Sequence, residues 1–289
     1  MESHSLSRFL ISAVRPLKEK KALLCCSRRR GDREPSPVSF ADLQSLQVSA
    51  IILLRQIVQK YRGGIKVLRF WGDGSQESMD LVNAIRVRST DNFNWTFIFI
   101  LAVVFYVYWS EIHKKNYEAV FAGLALYGVH WLYEICNAVI GKVSGYPLWS
   151  VSNESTTFIL LVGVCWELSM MFSLAGIISF KMMPQDRTKR YLVGKLGKKG
   201  ISCKLAVALE MALLFALVES FLAGTSNHSF IWVYKWWGVI PVFVTTYIPF
   251  FLASNYVPDM EPKKRTAFLI AEWALVAVLL IILIPAGVI

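Results

Sequence analysis

The chain has 289 residues, 55% of them hydrophobic, and its mean hydropathy of +0.47 is too high for an ordinary water-soluble globular protein. Its formal charge of +11 comes from 31 Lys and Arg against 20 Asp and Glu; 16 of the basic residues precede residue 91 and eight more fall between Lys181 and Lys204. Basic segments beside apolar ones suit an anionic lipid surface better than nucleic acid, so membrane lipids are expected partners and nucleic acid is not.

Residues 1–38 read as a disordered basic tail, with an organellar transit peptide as the alternative. The apolar run from Phe9 to Val14 is too short, and too interrupted by Ser12, for a cleaved secretory signal. Cys25 and Cys26 are adjacent, which does not suit metal-ligand spacing, while Cys136 and Cys165 lie within apolar stretches. Neither a disulfide framework nor a zinc site follows from that pattern. Residues 39–91 read as an amphipathic surface helix and a linker. Ser39 and Asp42 form a capping box, Leu43, Leu46, Ile51, Leu54 and Val58 recur at helical spacing, and Gly63-Gly64 ends the run.

From residue 92 to 289 the pattern predicts a six-helix transmembrane domain, making the fold class all-α: a polytopic membrane helix bundle preceded by a basic and amphipathic region. The predicted spans cover 93–109, 117–140, 155–180, 203–223, 230–253 and 266–289, each near or above the roughly 17 residues that cross ~30 Å of hydrocarbon as helix. Lys114-Lys115, the Lys181–Lys204 run and Lys263-Lys264-Arg265 fall in alternate loops, which the positive-inside rule assigns to the cytoplasm. The opposite side then carries two glycosylation sequons, at Asn153 and Asn227, and the basic N-terminal region.

Ionisable residues inside these spans cost a few kcal/mol each unless they face protein or water, so they mark an internal site. His130, Glu134 and Asn137 share one helical stripe at i, i+4 and i+7. They read either as interhelical hydrogen-bonding groups or as a proton-handling pair with a polar neighbour. Glu167, placed by this reading in the middle of the third span, is the foremost candidate for a general acid. Glu219 and Lys235 reach similar depth on antiparallel neighbours and are expected to form an ion pair, while Glu210 lies higher on the same span as Glu219. Glu272 is read as an acid near a helix N-terminus, with no catalytic role. Ser220, Thr245 and Thr246 are read as packing groups.

Aromatic residues gather around the same positions. Trp109, Trp149 and Trp232 fit an interfacial belt, whereas Trp166, beside Glu167, is too deep for one. Acid with aromatic lining suits chemistry passing through a carbocation.

At His130-Trp-Leu-Tyr-Glu134, with Cys165-Trp-Glu167 on the next span and Ile231-Trp-Val-Tyr234 on a later one, the chain resembles the emopamil-binding protein or sterol Δ8-Δ7 isomerase (EXPERA) superfamily. That resemblance covers about 117–251, and a looser likeness links the chain to membrane-bound terpene cyclases. It implies an endoplasmic-reticulum enzyme in which Glu167 with Glu134 or His130 moves a proton on and off a ring double bond of a sterol or other isoprenoid. Asn137, Trp166, Glu210 and Glu219, with Tyr234, Lys235 and Trp236, would shape the substrate pocket. Neither metal nor cofactor is required by that scheme. Two other classes stay open: a proton-coupled secondary transporter, and a non-catalytic membrane receptor or scaffold.

Overall fold

A computed structural model describes residues 68–91, 95–153, 156, 158–195, 199–224 and 229–289. The readings for 1–38 and 39–62, and the sequon at Asn227, lie outside the described residues. Within the linker, Gln76–Asn83 forms a short helix, α1, capped by the Ser75 hydroxyl, which accepts from the Ser78 N–H.

The bundle is built from α2 (Thr96–His113), α3 (Tyr117–Ser144), α4 (Trp166–Met182), α5 (Cys203–Gly224), α6 (Val239–Asp259) and α7 (Pro262–Leu283). Among the described residues five of these, all except α4, are long and apolar enough to cross a membrane. The remaining predicted span is α4, which at 17 residues covers about 25 Å at 1.5 Å per residue and is shorter than predicted at its start.

Two predicted helix starts give way to strand. Ile159–Leu161 (β2) and Val164–Cys165 (β3) pair as a hairpin across Gly163, so α4 begins at Trp166 rather than at 155. Phe230–Ile231 (β6) pairs with Ser150–Val151 (β1), and α6 begins at Val239 rather than at 230. A third small ladder joins Arg190–Tyr191 (β4) to Ile201–Ser202 (β5).

Helix α6 changes winding along its length, with a π-helical stretch at Val242–Tyr247 ahead of an α segment, Ile248–Tyr256. Pro249 explains the break: it has no N–H to offer the Thr245 carbonyl and its ring crowds that oxygen, and a wider preceding turn relieves both.

Helices α3 to α6 make the interior, while α2 and α7 turn most of their side chains outward: Glu111 is the sole buried residue of α2, and Leu269, Glu272 and Val276 those of α7. Lipid tails are as apolar as Leu, so helix association here rests on close packing and hydrogen bonds. Ala119, Ala122 and Gly123 of α3 meet Ala175 and Gly176 of α4. A methyl group on Gly176 would sit 2.4 Å from the Ala122 carbonyl oxygen, so the two backbones can touch at this seam because glycine occupies it. The Tyr108 hydroxyl donates to the Ser173 carbonyl at 2.8 Å, and Tyr127 pairs with Ser169 at 2.7 Å.

The two ends of the bundle are tied differently. The three basic loops come together at one end, as the charge pattern predicts: Lys181 bonds Glu111, Arg187 reaches Glu118 (3.1 Å) and Asp259 (2.5 Å), and Lys204 also binds Asp259. At the other end the chain before α1 is stitched to the α5–α6 connection, with Arg69 N–H donating to Ser220, Gly72 N–H to Trp237 and Val239 N–H to Phe70. Asn153 holds α1 in place there: its amide nitrogen donates to the Ala84 carbonyl (2.8 Å) and its oxygen accepts from the Arg86 N–H (3.3 Å).

Candidate functional site

The i, i+4, i+7 stripe of α3 turns inward as the spacing predicts: His130, Glu134 and Asn137 are 1%, 4% and 0% exposed. Asn137 is a structural bracket. Its amide nitrogen donates to the Trp149 carbonyl (2.8 Å) and its oxygen accepts from the Leu148 N–H (2.8 Å), fixing the chain that leaves α3. So held, the Trp149 indole N–H points at both oxygens of Glu134, at 3.1 and 3.3 Å.

Glu219 of α5 is buried and served in the same manner, accepting from the Trp232 indole N–H at 2.8 Å and from the Tyr247 hydroxyl at 2.6 Å. The β1–β6 register pairs Ser150 with Ile231 and Val151 with Phe230, so one step further along the ladder Trp149 stands opposite Trp232. One two-residue ladder therefore positions the indole donors of both carboxylates. The π stretch of α6 turns Tyr247 toward Glu219 and brings Thr246 to the same space.

Glu134 and Glu219 front one small cavity with Trp149, Phe172, Phe230, Thr246, Tyr247 and Phe250 on its walls. It leaves about 10 Å³ for the centre of a water-sized sphere, room for about one water. Gly163, at the hairpin turn, forms part of the wall: a methyl group there would lie 2.4 Å from Glu134 Oε2 and 2.6 Å from Trp149 Nε1. His130 lies behind this wall. Its Nε2 is 3.5 Å from Glu134 Oε1, at the limit of hydrogen-bond range and without hydrogen-bond geometry, and its ring stacks on Phe172 with centroids 4.2 Å apart.

Several sequence-derived positions are corrected. Glu167 is the second residue of α4, half-buried near the helix start, and lies outside the cavity; it seemed central only because the β2–β3 hairpin was read as helix. Trp166 stacks with Phe97 and lies near Phe158, away from the cavity. Glu210 is exposed on the outer face of α5. Lys235 is exposed in the turn before α6, its stem beside Gly74, and the expected Glu219–Lys235 ion pair is replaced by the bonds from Trp232 and Tyr247. Trp236 is 59% exposed, and Tyr234 donates to the Tyr146 carbonyl at 2.9 Å, so both belong to the far-end connection. Trp149 and Trp232 are buried donors rather than interfacial anchors. Their places next to Ser150 and Ile231 signal nothing until the pairing of β1 with β6 is known.

Among the described residues no three His, Cys, Asp or Glu side chains are arranged to hold a metal ion. The arrangement can move protons: two carboxyl groups and a nearby imidazole, with three hydrogen-bond donors fixing the acids, surrounded by aromatic rings.

A family model described as an uncharacterized membrane protein family matches residues 78–285, which takes in most of α1 and all of α2 to α7. An uncharacterized protein of Archaeoglobus fulgidus is 35% identical over 200 residues, covering 68% of this chain and 90% of its own length. No solved structure matches.

Proposed function

This chain belongs to that uncharacterized membrane protein family and is an integral membrane protein, and from this premise we propose that it is an enzyme performing acid–base chemistry on a sterol or other isoprenoid lipid. The supporting observation is that carboxyl groups from two different helices front one aromatic-walled cavity. In this reading one carboxyl, Glu134 backed by His130, gives its proton to an alkene carbon of the lipid. A C–H bond forms from the π electrons, leaving positive charge on the neighbouring carbon, and the faces of Phe172, Phe230 and Phe250 stabilise it through their quadrupoles. Glu219 removes a proton from the next carbon, and the released electron pair restores the double bond one position along. Glu167, Glu210 and Lys235 have no part in this scheme. The cavity must widen to take a ring, which requires the phenylalanine side chains to part. The endoplasmic reticulum is the membrane this reading implies.

The test is to express the chain in cells lacking such chemistry, supply lipid-soluble isoprenoids in deuterated water, and compare products of wild type, E134Q and E219Q by mass spectrometry. The expected result is an isomerised or cyclised product carrying deuterium that disappears in both variants. Product from both variants equal to that of wild type would end the proposal.

Proton-coupled transport is the second reading, supported by the interruption of α6 beside two buried acids, because transporters set their sites at broken helices. Acidification of the interior of protein-loaded vesicles on adding a substrate, with no chemical change in that substrate, would favour it.

A further inference from the structure

We infer that the cavity between Glu134 and Glu219 is a binding site for one water molecule, oriented by Thr246, which joins the two acids into a single proton relay. This inference rests on the proton-handling part of the function proposed above, and it holds for an enzyme and a transporter alike.

Glu134 belongs to α3 and Glu219 to α5, and each is fixed by tryptophan rather than by the other acid. The space they share is about one water in size, with walls otherwise made of rings. A dry apolar cavity of that size would stay empty, whereas one bounded by polar groups with unused hydrogen-bonding capacity retains a water making two to four bonds. Thr246 supplies the decisive group. Its side chain is buried, it lines this cavity, and its hydroxyl has no hydrogen-bond partner among the described residues. An orphaned buried hydroxyl is costly, and a water in the cavity would satisfy it.

The balance of donors and acceptors agrees. The carboxylates have spare lone pairs to accept the two O–H bonds of a water, and the Thr246 hydroxyl can donate to its oxygen. With one acid protonated, its O–H donates to the water oxygen and the water donates one O–H to the other carboxylate; the first proton then passes to the water as the water gives one of its own to the second acid, so the relay runs without net change in the water. The titratable groups facing this path are Glu134 with His130 behind it from α3, Glu219 from α5 and Tyr247 from α6. Helix α4 brings Leu168 and Phe172, and the chain outside the helices Gly163, Trp149 and Phe230, none of them titratable. Thr246 is a positioning residue.

Infrared difference spectra of the full-length protein in lipid, recorded between acid and alkaline pH, test the relay. E134Q and E219Q assign the two carboxyl bands. Wild type should show both acids titrating as a coupled pair, with an internal-water O–H band that shifts in oxygen-18 water. T246V should lose the water band and uncouple the two titrations, and T246S should restore both. T246A repeats the measurement if T246V does not fold. Wild-type spectra without an exchangeable water band, or a folded T246V or T246A whose titrations match wild type, would overturn the inference. Turnover is scored separately: a coupled pair with its water band but no lipid product leaves the relay standing and removes the isoprenoid reading.

Discussion

Apart from Glu111, which Lys181 and Asn116 hold at the basic end, two places among the described residues bury carboxyl groups, and they are built on opposite terms. Around the cavity, Glu134 and Glu219 accept hydrogen bonds from Trp149, Trp232 and Tyr247. On the other side of α3, Glu272 lies half-way along α7 rather than near its N-terminus, since α7 begins at Pro262. Its carboxyl fills the space beside Gly128, it is 6% exposed, and neither oxygen has a hydrogen-bond partner among the described residues. The supported pair costs the chain three aromatic donors and a ladder, while the unsupported acid occupies a simple contact between two helices. Prearranged donors distinguish a site from a buried polar residue, and burial alone does not.

Four measurements can break or sharpen that contrast. The largest effect is expected from E219L, which leaves the Trp232 N–H and the Tyr247 hydroxyl orphaned. At about 1–3 kcal/mol for each orphaned group, unfolding in detergent should become easier by roughly 2–6 kcal/mol. G163A forces a methyl group against Glu134 and Trp149; overpacking of this kind costs about 1–3 kcal/mol, and turnover should fall with it. E272M replaces an unpartnered carboxyl with an apolar chain of similar reach. Its unfolding free energy should match wild type or exceed it by up to about 2 kcal/mol; a loss comparable to that of E219L would erase the distinction between the two regions.

The smallest effect concerns the end of the bundle beside α1. Burial pushes the Asp73 carboxyl upward, but the Ser75 N–H, the Ser78 and Ser75 hydroxyls and the Arg69 guanidinium outweigh it and hold its pKa below the ordinary 3.8. A depressed folded value means that its stabilisation is complete above about pH 3.8 and fades as pH falls through the lower folded value. Docking of residues 69–83 should loosen in strong acid, read by cleavage with an acid-active protease, and D73N should show the looser state already at neutral pH.

Much of the fold was legible because membrane spans are long and the hydrocarbon width is fixed. The failures fall where apolar runs are short. Phe158–Cys165 is as apolar as the helix it precedes and Phe230–Trp237 is rich in aromatic residues, and periodicity over so few residues does not separate strand from helix. Gly163 and Gly238 are the only local marks of the breaks. One of those misplaced boundaries moved Glu167 to mid-membrane and made it seem the principal acid. The stripe of His130, Glu134 and Asn137 was readable because all three share one helix. Glu219 could be recognised as buried, but its donors come from a strand and from another helix, and pairing across such sequence distances leaves no trace in spacing.

The asparagine that fastens α1 is also the acceptor of an Asn-Glu-Ser sequon. An N-linked sugar would replace one of the two hydrogens on the nitrogen that donates to Ala84 and crowd that contact, so attachment and docking compete. In a secretory host, a chain that folds before oligosaccharide transfer should migrate without a sugar at Asn153, and one whose α1 is prevented from docking should gain it. Gel mobility thus becomes a clock for the order in which this end of the molecule is assembled.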